Sequence, residues 1–301
     1  MVIIMKIIKS ISFSVIAVIL ALTAVLQASA ETIYEYYGIS YVILSNTELS
    51  VVGWDNRSEE FKIPAQINGR QIVSFGNGAL MSNTFITSVD LTNAKNLNRI
   101  GAYAFQDCTG INTDLVLPKS VTVIENRAFQ GCSSIPTVTI NSAVTAIPNQ
   151  CFKDCSSLVS AELPEGVERI NAWAFAGCTS LEYVNIPESV TFISDYAFDG
   201  DQNVILGVNT DTVGHNYAVE KNIPYILLDG PKLGDVNGDG NVDILDSTEI
   251  QKYAAEMTEF TDEQFELADI NNDGFVDVID ALLVQKYVVG KYDIPPIIYN
   301  S

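Results

Sequence analysis

Two twelve-residue stretches gather oxygen-bearing side chains at spacings that suit a hard cation. They are DVNGDGNVDILD, from Asp235 to Asp246, and DINNDGFVDVID, from Asp269 to Asp280, which begins 34 positions later. In each, oxygen ligands fall at positions 1, 3, 5, 9 and 12, with glycine at position 6. A tight loop of this kind can wrap a calcium ion in six or seven oxygens, with position 7 offering its backbone carbonyl and position 9 acting directly or through a water. The first site would use Asp235, Asn237, Asp239, Asp243 and Asp246, with the carbonyl of Asn241. The second would use Asp269, Asn271, Asp273, Asp277 and Asp280, with the carbonyl of Phe275. Two carboxylates ~5 Å apart repel by about 0.8 kcal/mol in water and by about 3 kcal/mol at an effective dielectric of 20. Each loop holds four aspartates, so a bound cation is needed to keep it closed. Magnesium fits poorly, because it demands a small octahedron and seldom takes an all-protein cage. The expectation is two structural calcium ions.

The elements that position these loops depart from a helix–loop–helix hand. Gly230, Pro231 and Gly234 forbid a helix entering the first loop, and position 12 is aspartate rather than glutamate in both. Helical stretches follow each loop, DSTEIQKYAAE and DALLVQKYVVG, and Thr261 with Gln264 forms a capping box for a short helix between them. This predicts a small all-α domain of two loop–helix motifs over residues 235–294, after a linker at 229–234 and before a tail at 295–301.

The rest of the chain is of a different kind. It has 301 residues, 48% of them apolar, and a formal charge of −21 from 37 acidic and 16 basic residues. That balance argues against nucleic acid or an anionic membrane surface as a partner. Lys6 and Lys9 precede an apolar run from Ile11 to Leu26 that closes on Ala28-Ser29-Ala30, so residues 1–30 are expected to be a signal peptide. No later apolar run is long enough to span a membrane, and a secreted, extracellular protein is expected.

Residues 31–228 are repetitive. Cys108, Cys132, Cys155 and Cys178 are spaced by 24, 23 and 23 residues, and each follows a phenylalanine by three: Phe105, Phe129, Phe152 and Phe175. Phe198 continues the series, with Asp201 in the cysteine register. Ile100, Ile124, Ile147, Ile170 and Ile193 stand five residues before the phenylalanines, and Leu117, Ile140, Leu163 and Ile186 twelve before the last four. Such a period marks a solenoid in which one strand and a return segment make a coil that buries its apolar face only by stacking at ~4.8 Å. The expected class is an α/β repeat solenoid, its cysteines a buried ladder of free thiols. Cys151, off that ladder, is the thiol to test first.

The pattern L-P-x-S-V-x-x-I-x-x-x-A-F-x-x-C resembles the leucine-rich repeats of BspA-type bacterial surface antigens, over about residues 40–228. An irregular first repeat places Leu80 in the phenylalanine register and Asn83 in the cysteine register. Residues 233 to about 294, with I-Q-K-Y at Ile250–Tyr253 and V-Q-K-Y at Val284–Tyr287, resemble a type I dockerin, the module that plugs proteins into the cohesin domains of a scaffoldin. That resemblance implies a cohesin-facing set of Ile244, Leu245, Gln251 and Lys252 in one half, and Val278, Ile279, Gln285 and Lys286 in the other. The aliphatic pairs stand where other dockerins often carry Ser-Thr, which implies an apolar contact.

Catalysis would need a nucleophile with a base in reach, paired carboxylates across a cleft, or a metal with an open position. The single histidine, His215, reads as an exposed loop residue, and Glu162, Glu165, Glu168, Glu182 and Glu188 read as a solvated face. Tyr103, Trp173 and Tyr196 share one register with Arg127 and Gln150, and an aromatic row could stack on sugar rings or anchor a protein loop. The resemblances together imply a non-catalytic cellulosome component linked to polysaccharide catabolism, docked on cohesin through calcium, whose solenoid binds a protein or plant polysaccharide. The alternatives are a glycoside hydrolase or its accessory, and a cell-surface adhesin.

Overall fold

The protein is described by a computed structural model that covers residues 32–300 apart from 56, 57 and 142. The expected signal peptide, residues 1–30, lies outside the described residues. Two apolar cores are present. One runs from Ile39 to Ala218 and is continued by Ile223, Tyr225 and Leu227; the other is built around Val236, Ile250, Ile270, Val276 and Val284.

The first core is a solenoid of short parallel strands. One wall is a six-stranded sheet of Leu115–Leu117, Thr137–Ile140, Ser160–Glu162, Tyr183–Asn185, Ile205–Val208 and Tyr225–Leu227, all parallel and each paired with the next coil. Its register sets Leu115, Val138, Ala161, Val184 and Leu206 in one buried row. Alternation explains the choice of residues: in Leu115–Leu117 the two leucines point inward and Val116 outward. The start is capped by an antiparallel meander of Ile33–Tyr36, Ile39–Ile43 and Glu48–Trp54, the last of which pairs in parallel with Arg70–Phe75.

The isoleucine register forms a second wall, and one residue divides it. In its coils the residue after the isoleucine or its equivalent donates its N–H to the coil before: Gly101 to Phe75, Glu125 to Ile100, Asn171 to Ile147 and Ser194 to Ile170, at 2.9–3.0 Å. After Ile147 stands Pro148, which has no N–H to give. The wall accordingly splits into Arg70–Phe75, Arg99–Ile100 and Val123–Ile124 on one side, and Ala146–Ile147, Arg169–Ile170 and Phe192–Ile193 on the other.

The phenylalanines form the expected ladder. Phe105, Phe129, Phe152, Phe175 and Phe198 stack at 5.1–5.5 Å between ring centroids, within 15° of parallel. Each offset stack contributes about 0.5–1.5 kcal/mol beyond the area it buries. Phe75 continues the column at one end and Tyr217 closes it at the other. The five cysteines are free and buried. Those on the ladder donate S–H to the carbonyl one coil back, Cys108 to Leu80, Cys132 to Phe105, Cys155 to Phe129 and Cys178 to Phe152, at 3.0–3.3 Å. Cys151, off the ladder and singled out as the thiol to test first, is fully buried in the alanine register beside Phe152.

Return segments between the two walls are successive turns, because left-handed residues interrupt any helix: Tyr103, Arg127, Gln150 and Trp173 at one register, and Asp107, Gly131, Asp154, Gly177 and Gly200 at another. The first helix among the described residues, α1 (Val213–Lys221), ends the solenoid and is capped by Thr212, whose hydroxyl accepts from the N–H of His215. His215 therefore lies in a helical first turn, half-buried, with its Nδ1 accepting from the N–H of Asp211 and its ring against Tyr225; it is not the exposed loop residue its neighbours implied.

The second core holds α2 (Ile244–Ala254), α3 (Asp262–Ala268) and α4 (Val278–Val288), with α2 and α4 packed on each other. Thr261 and Gln264 make the expected reciprocal capping box.

Candidate metal-binding and docking site

Each aspartate-rich loop leads into a helix, and the same side chains do both jobs. Asp243 caps α2 by accepting from the N–H of Leu245, while Asp246 reaches back to the N–H of Asp243 at 2.9 Å. Asp277 and Asp280 repeat this at α4. Positions 9 and 12 are therefore held in place by the helix that follows them.

The rest of each loop is folded by side-chain oxygens accepting from the backbone. In the first loop Asp235 accepts from the N–H groups of Gly238, Asp239 and Gly240, Asn237 from that of Asp239, and Asp239 from that of Asn241. Asp246 also accepts from Val236 and Asn237. In the second loop Asp269 accepts from Asp273 and Gly274, Asn271 from Asp273, Asp273 from Phe275, and Asp280 from Ile270 and Asn271. Successive Asx turns of this kind coil the backbone so that side chains at positions 1, 3 and 5 share the inside of one loop.

Burial follows the same plan. Asp246 and Asp280 are wholly buried and Asp235 and Asp269 nearly so, while Asn237, Asp239, Asn271 and Asp273 are exposed. Burial pushes the carboxyls of Asp246 and Asp280 above the usual range, against the pull of the backbone N–H groups they accept from. The N–H of Asn241 holds Asp239 below it. Among the described residues no three His, Cys, Asp or Glu side chains converge into a cage of their own. The donor set is mixed, and that suits calcium: the asparagine at position 3 and the carbonyl at position 7 must complete what the aspartates begin. A cation bound here would neutralise the buried carboxylates that the backbone amides satisfy only in part.

The family model for the dockerin type I domain matches residues 233–289, and that for the BspA-type leucine-rich repeat region matches six copies over residues 73–205. The chain carries a BspA-type leucine-rich repeat region followed by a type I dockerin domain. Among solved structures it is similar to a leucine-rich repeat protein of T. pallidum, at 24% identity and a TM-score of 0.53, over 58% of this chain and 81% of that one. A leucine-rich cell surface protein from Faecalibacterium prausnitzii matches at 23% identity and a TM-score of 0.44, over 60% and 55% of the two chains. The dockerin is similar to a chain in a complex of a ScaC cohesin with the ScaB dockerin from Acetivibrio cellulolyticus, at 33% identity and a TM-score of 0.21, over 22% of this chain and 92% of that one. No curated protein matches the chain.

On the dockerin surface, Ile244, Leu245, Val278 and Ile279 are all at least half exposed, an apolar group at the two loop rims. The implied helix residues divide. Gln251 is exposed and Lys252 pairs with Glu249 at 2.7 Å, whereas Gln285 is half-buried and donates to the hydroxyl of Ser247 at 2.9 Å; Lys286 is exposed. The partner of Gln285 has no counterpart in the other half, where Ala281 stands at the matching place. Leu282, Val288 and Val289 extend the exposed apolar face of α4 and were not among the implied contacts. Their signal was there in DALLVQKYVVG, which has more apolar residues than one buried stripe uses.

The aromatic register on the solenoid wall is a row of side chains that partner one another. Trp173 and Tyr196 stack at 5.3 Å and 21°, so their ring faces are turned along the solenoid axis. The Arg127 guanidinium lies over Tyr103, 5.4 Å from the ring centre, and donates to the Tyr103 hydroxyl and to Gln150. Trp173 and Tyr196 remain 37% and 54% exposed.

Proposed function

We propose that the protein is a non-catalytic, secreted component of a cellulosome-like assembly, attached through a calcium-loaded dockerin to a scaffoldin cohesin. The observation that carries this is the doubled loop–helix unit: two loops folded by the same Asx turns, each with an exposed aliphatic pair at its rim. Calcium, held by Asp235, Asn237, Asp239, Asp243 and Asp246, and by Asp269, Asn271, Asp273, Asp277 and Asp280 with the carbonyls of Asn241 and Phe275, shapes the rims. Ile244, Leu245, Val278 and Ile279 then make the apolar contact, with Gln251, Lys252 and Lys286 beside it. A dockerin implies a cohesin partner, and both modules are typical of extracellular proteins. No helix among the described residues is long and apolar enough to cross a membrane.

For the solenoid we favour a protein ligand over a polysaccharide. Trp173 and Tyr196 each spend one ring face on the other, which leaves less of the row to stack on a sugar. Arg127 and Gln150, set between the aromatic residues, suit a polar protein loop.

The test is capture of the full-length protein by a panel of immobilised type I cohesins in calcium. Capture should survive replacement of either pair, Ile244 and Leu245 or Val278 and Ile279, by aspartate only in part, and vanish when all four are replaced. Undiminished capture of the fourfold variant would refute the apolar face.

A further inference from the structure

Tyr225–Leu227 is the last strand of the six-stranded sheet, paired with Ile205–Val208 on one side only. An edge of this kind offers unpaired backbone groups to any passing strand. Here the chain's own end covers it. Tyr299 runs antiparallel to Tyr225 and exchanges both backbone hydrogen bonds with it, the N–H of Tyr299 donating at 2.8 Å and that of Tyr225 at 3.0 Å. Their rings stack at 5.4 Å and 17°.

Five residues earlier the same tail is anchored in the dockerin. Ile294 packs on the second core, and its Cδ1 crowds the backbone of Gly234 together with Val242 and Ile270, all three within 3.5 Å of the place a Cβ would take there. Gly234 precedes the first loop's first ligand, Val242 is position 8 of that loop, and Ile270 is position 2 of the other. Ile294 thus sits where the two loops meet. Between the anchors lie Pro295 and Pro296, which stiffen the link and bring no N–H donor of their own. Linker and tail also line common cavities at the junction, one of about 260 Å³ bounded by Leu227, Leu228, Pro231, Tyr287 and Pro296.

We infer that the C-terminal tail is a strap that closes the solenoid's terminal edge and ties it to the calcium loops, so that the solenoid's end and the dockerin form one unit that loosens when calcium leaves. The calcium half rests on the function proposed above; the strap itself does not. An open or unloaded loop pair gives Ile294 no fixed seat, and the backbone bonds of Tyr299 five residues on lose their support. The solenoid then keeps its coils but exposes the Tyr225 edge to other strands.

Amide hydrogen exchange on the full-length protein, read by mass spectrometry with calcium and with chelator, tests this. Exchange at the Tyr225 amide should quicken about tenfold or more in chelator, alongside the amides of the two loops. Loops that quicken while Tyr225 stays protected would overturn the coupling and leave the calcium sites standing. No change in either would overturn the coupling and the calcium sites together. In calcium, ending the chain after Ile294 should quicken the Tyr225 amide by a similar factor with the loops unchanged; a Tyr225 amide still protected in that variant would overturn the strap.

Discussion

Asp201 holds the register that cysteine holds in the four coils before it, and the structure gives it a poor place for a charge. Both carboxylate oxygens are buried and neither makes a hydrogen bond. The N–H groups of Cys178 and Gly177 lie close enough to ease the charge without forming well-made bonds to it. Burial is the main cause pushing this carboxyl up to about 7, and the neighbouring Asp199 adds to it. The unfolded chain would titrate near 3.9, so the gap is about three pH units, or roughly 4 kcal/mol. The side chain is partly open to solvent, and screening reduces this to about 2 kcal/mol. The sign follows from the folded value lying above the unfolded one. Stability is full below pH ~4, is lost as pH rises from there to about 7, and stays low above. Asp201→Asn removes the titration. Relative to wild type it should gain about 2 kcal/mol more at pH 8 than at pH 4, or about 4–8 °C in Tm for a solenoid of this size. Any fixed cost of the buried amide cancels between the two pH values. Both tryptophans, Trp54 and Trp173, lie in the solenoid, so their fluorescence on heating follows that module alone. An equal shift at the two pH values, or a smaller gain at pH 8, would refute the reasoning.

Further outcomes follow from the same packing. Burial pushes the Cys108 thiol up to about 12 and the other four well above the usual thiol range, so iodoacetamide at pH 8 should label none of the five in the native protein and all five after unfolding. Phe152→Ala, in mid-column with a stacked ring on each side, should cost about 3–5 kcal/mol by tryptophan-detected melting, and more than Phe198→Ala at the end of the parallel stack. Gly234→Ala places a side chain at φ +94° against Val242 and Ile294, and should lower the dockerin's calcium-loaded helix melting by an amount on the order of 2 kcal/mol.

Much of the fold could be read in the sequence because the solenoid repeats its instructions: one coil's phenylalanine, isoleucine and cysteine positions predict the next. The loops were legible for a similar reason, since oxygen spacing in a twelve-residue loop is a local property. What escaped was set by neighbours that are distant in the chain. Pro148 divides a wall because a donor is missing toward the coil before, which periodicity of side chains does not register. The partnering of Gln285 with Ser247 depends on how α2 and α4 pack. The aromatic row was visible as a register, but the direction of its ring faces was not. Tyr299 meets Tyr225 across 74 residues, and a short, proline-containing tail carries no periodic signal to announce it.

Calcium-dependent docking is tested most directly by calorimetric titration of the full-length protein with a panel of type I cohesins, once in calcium and once in chelator. The expected result is saturable one-to-one binding to at least one cohesin in calcium, weakened by at least about a hundredfold in chelator. Equal binding in both buffers, or no binding to any cohesin of the panel in calcium, would contradict it.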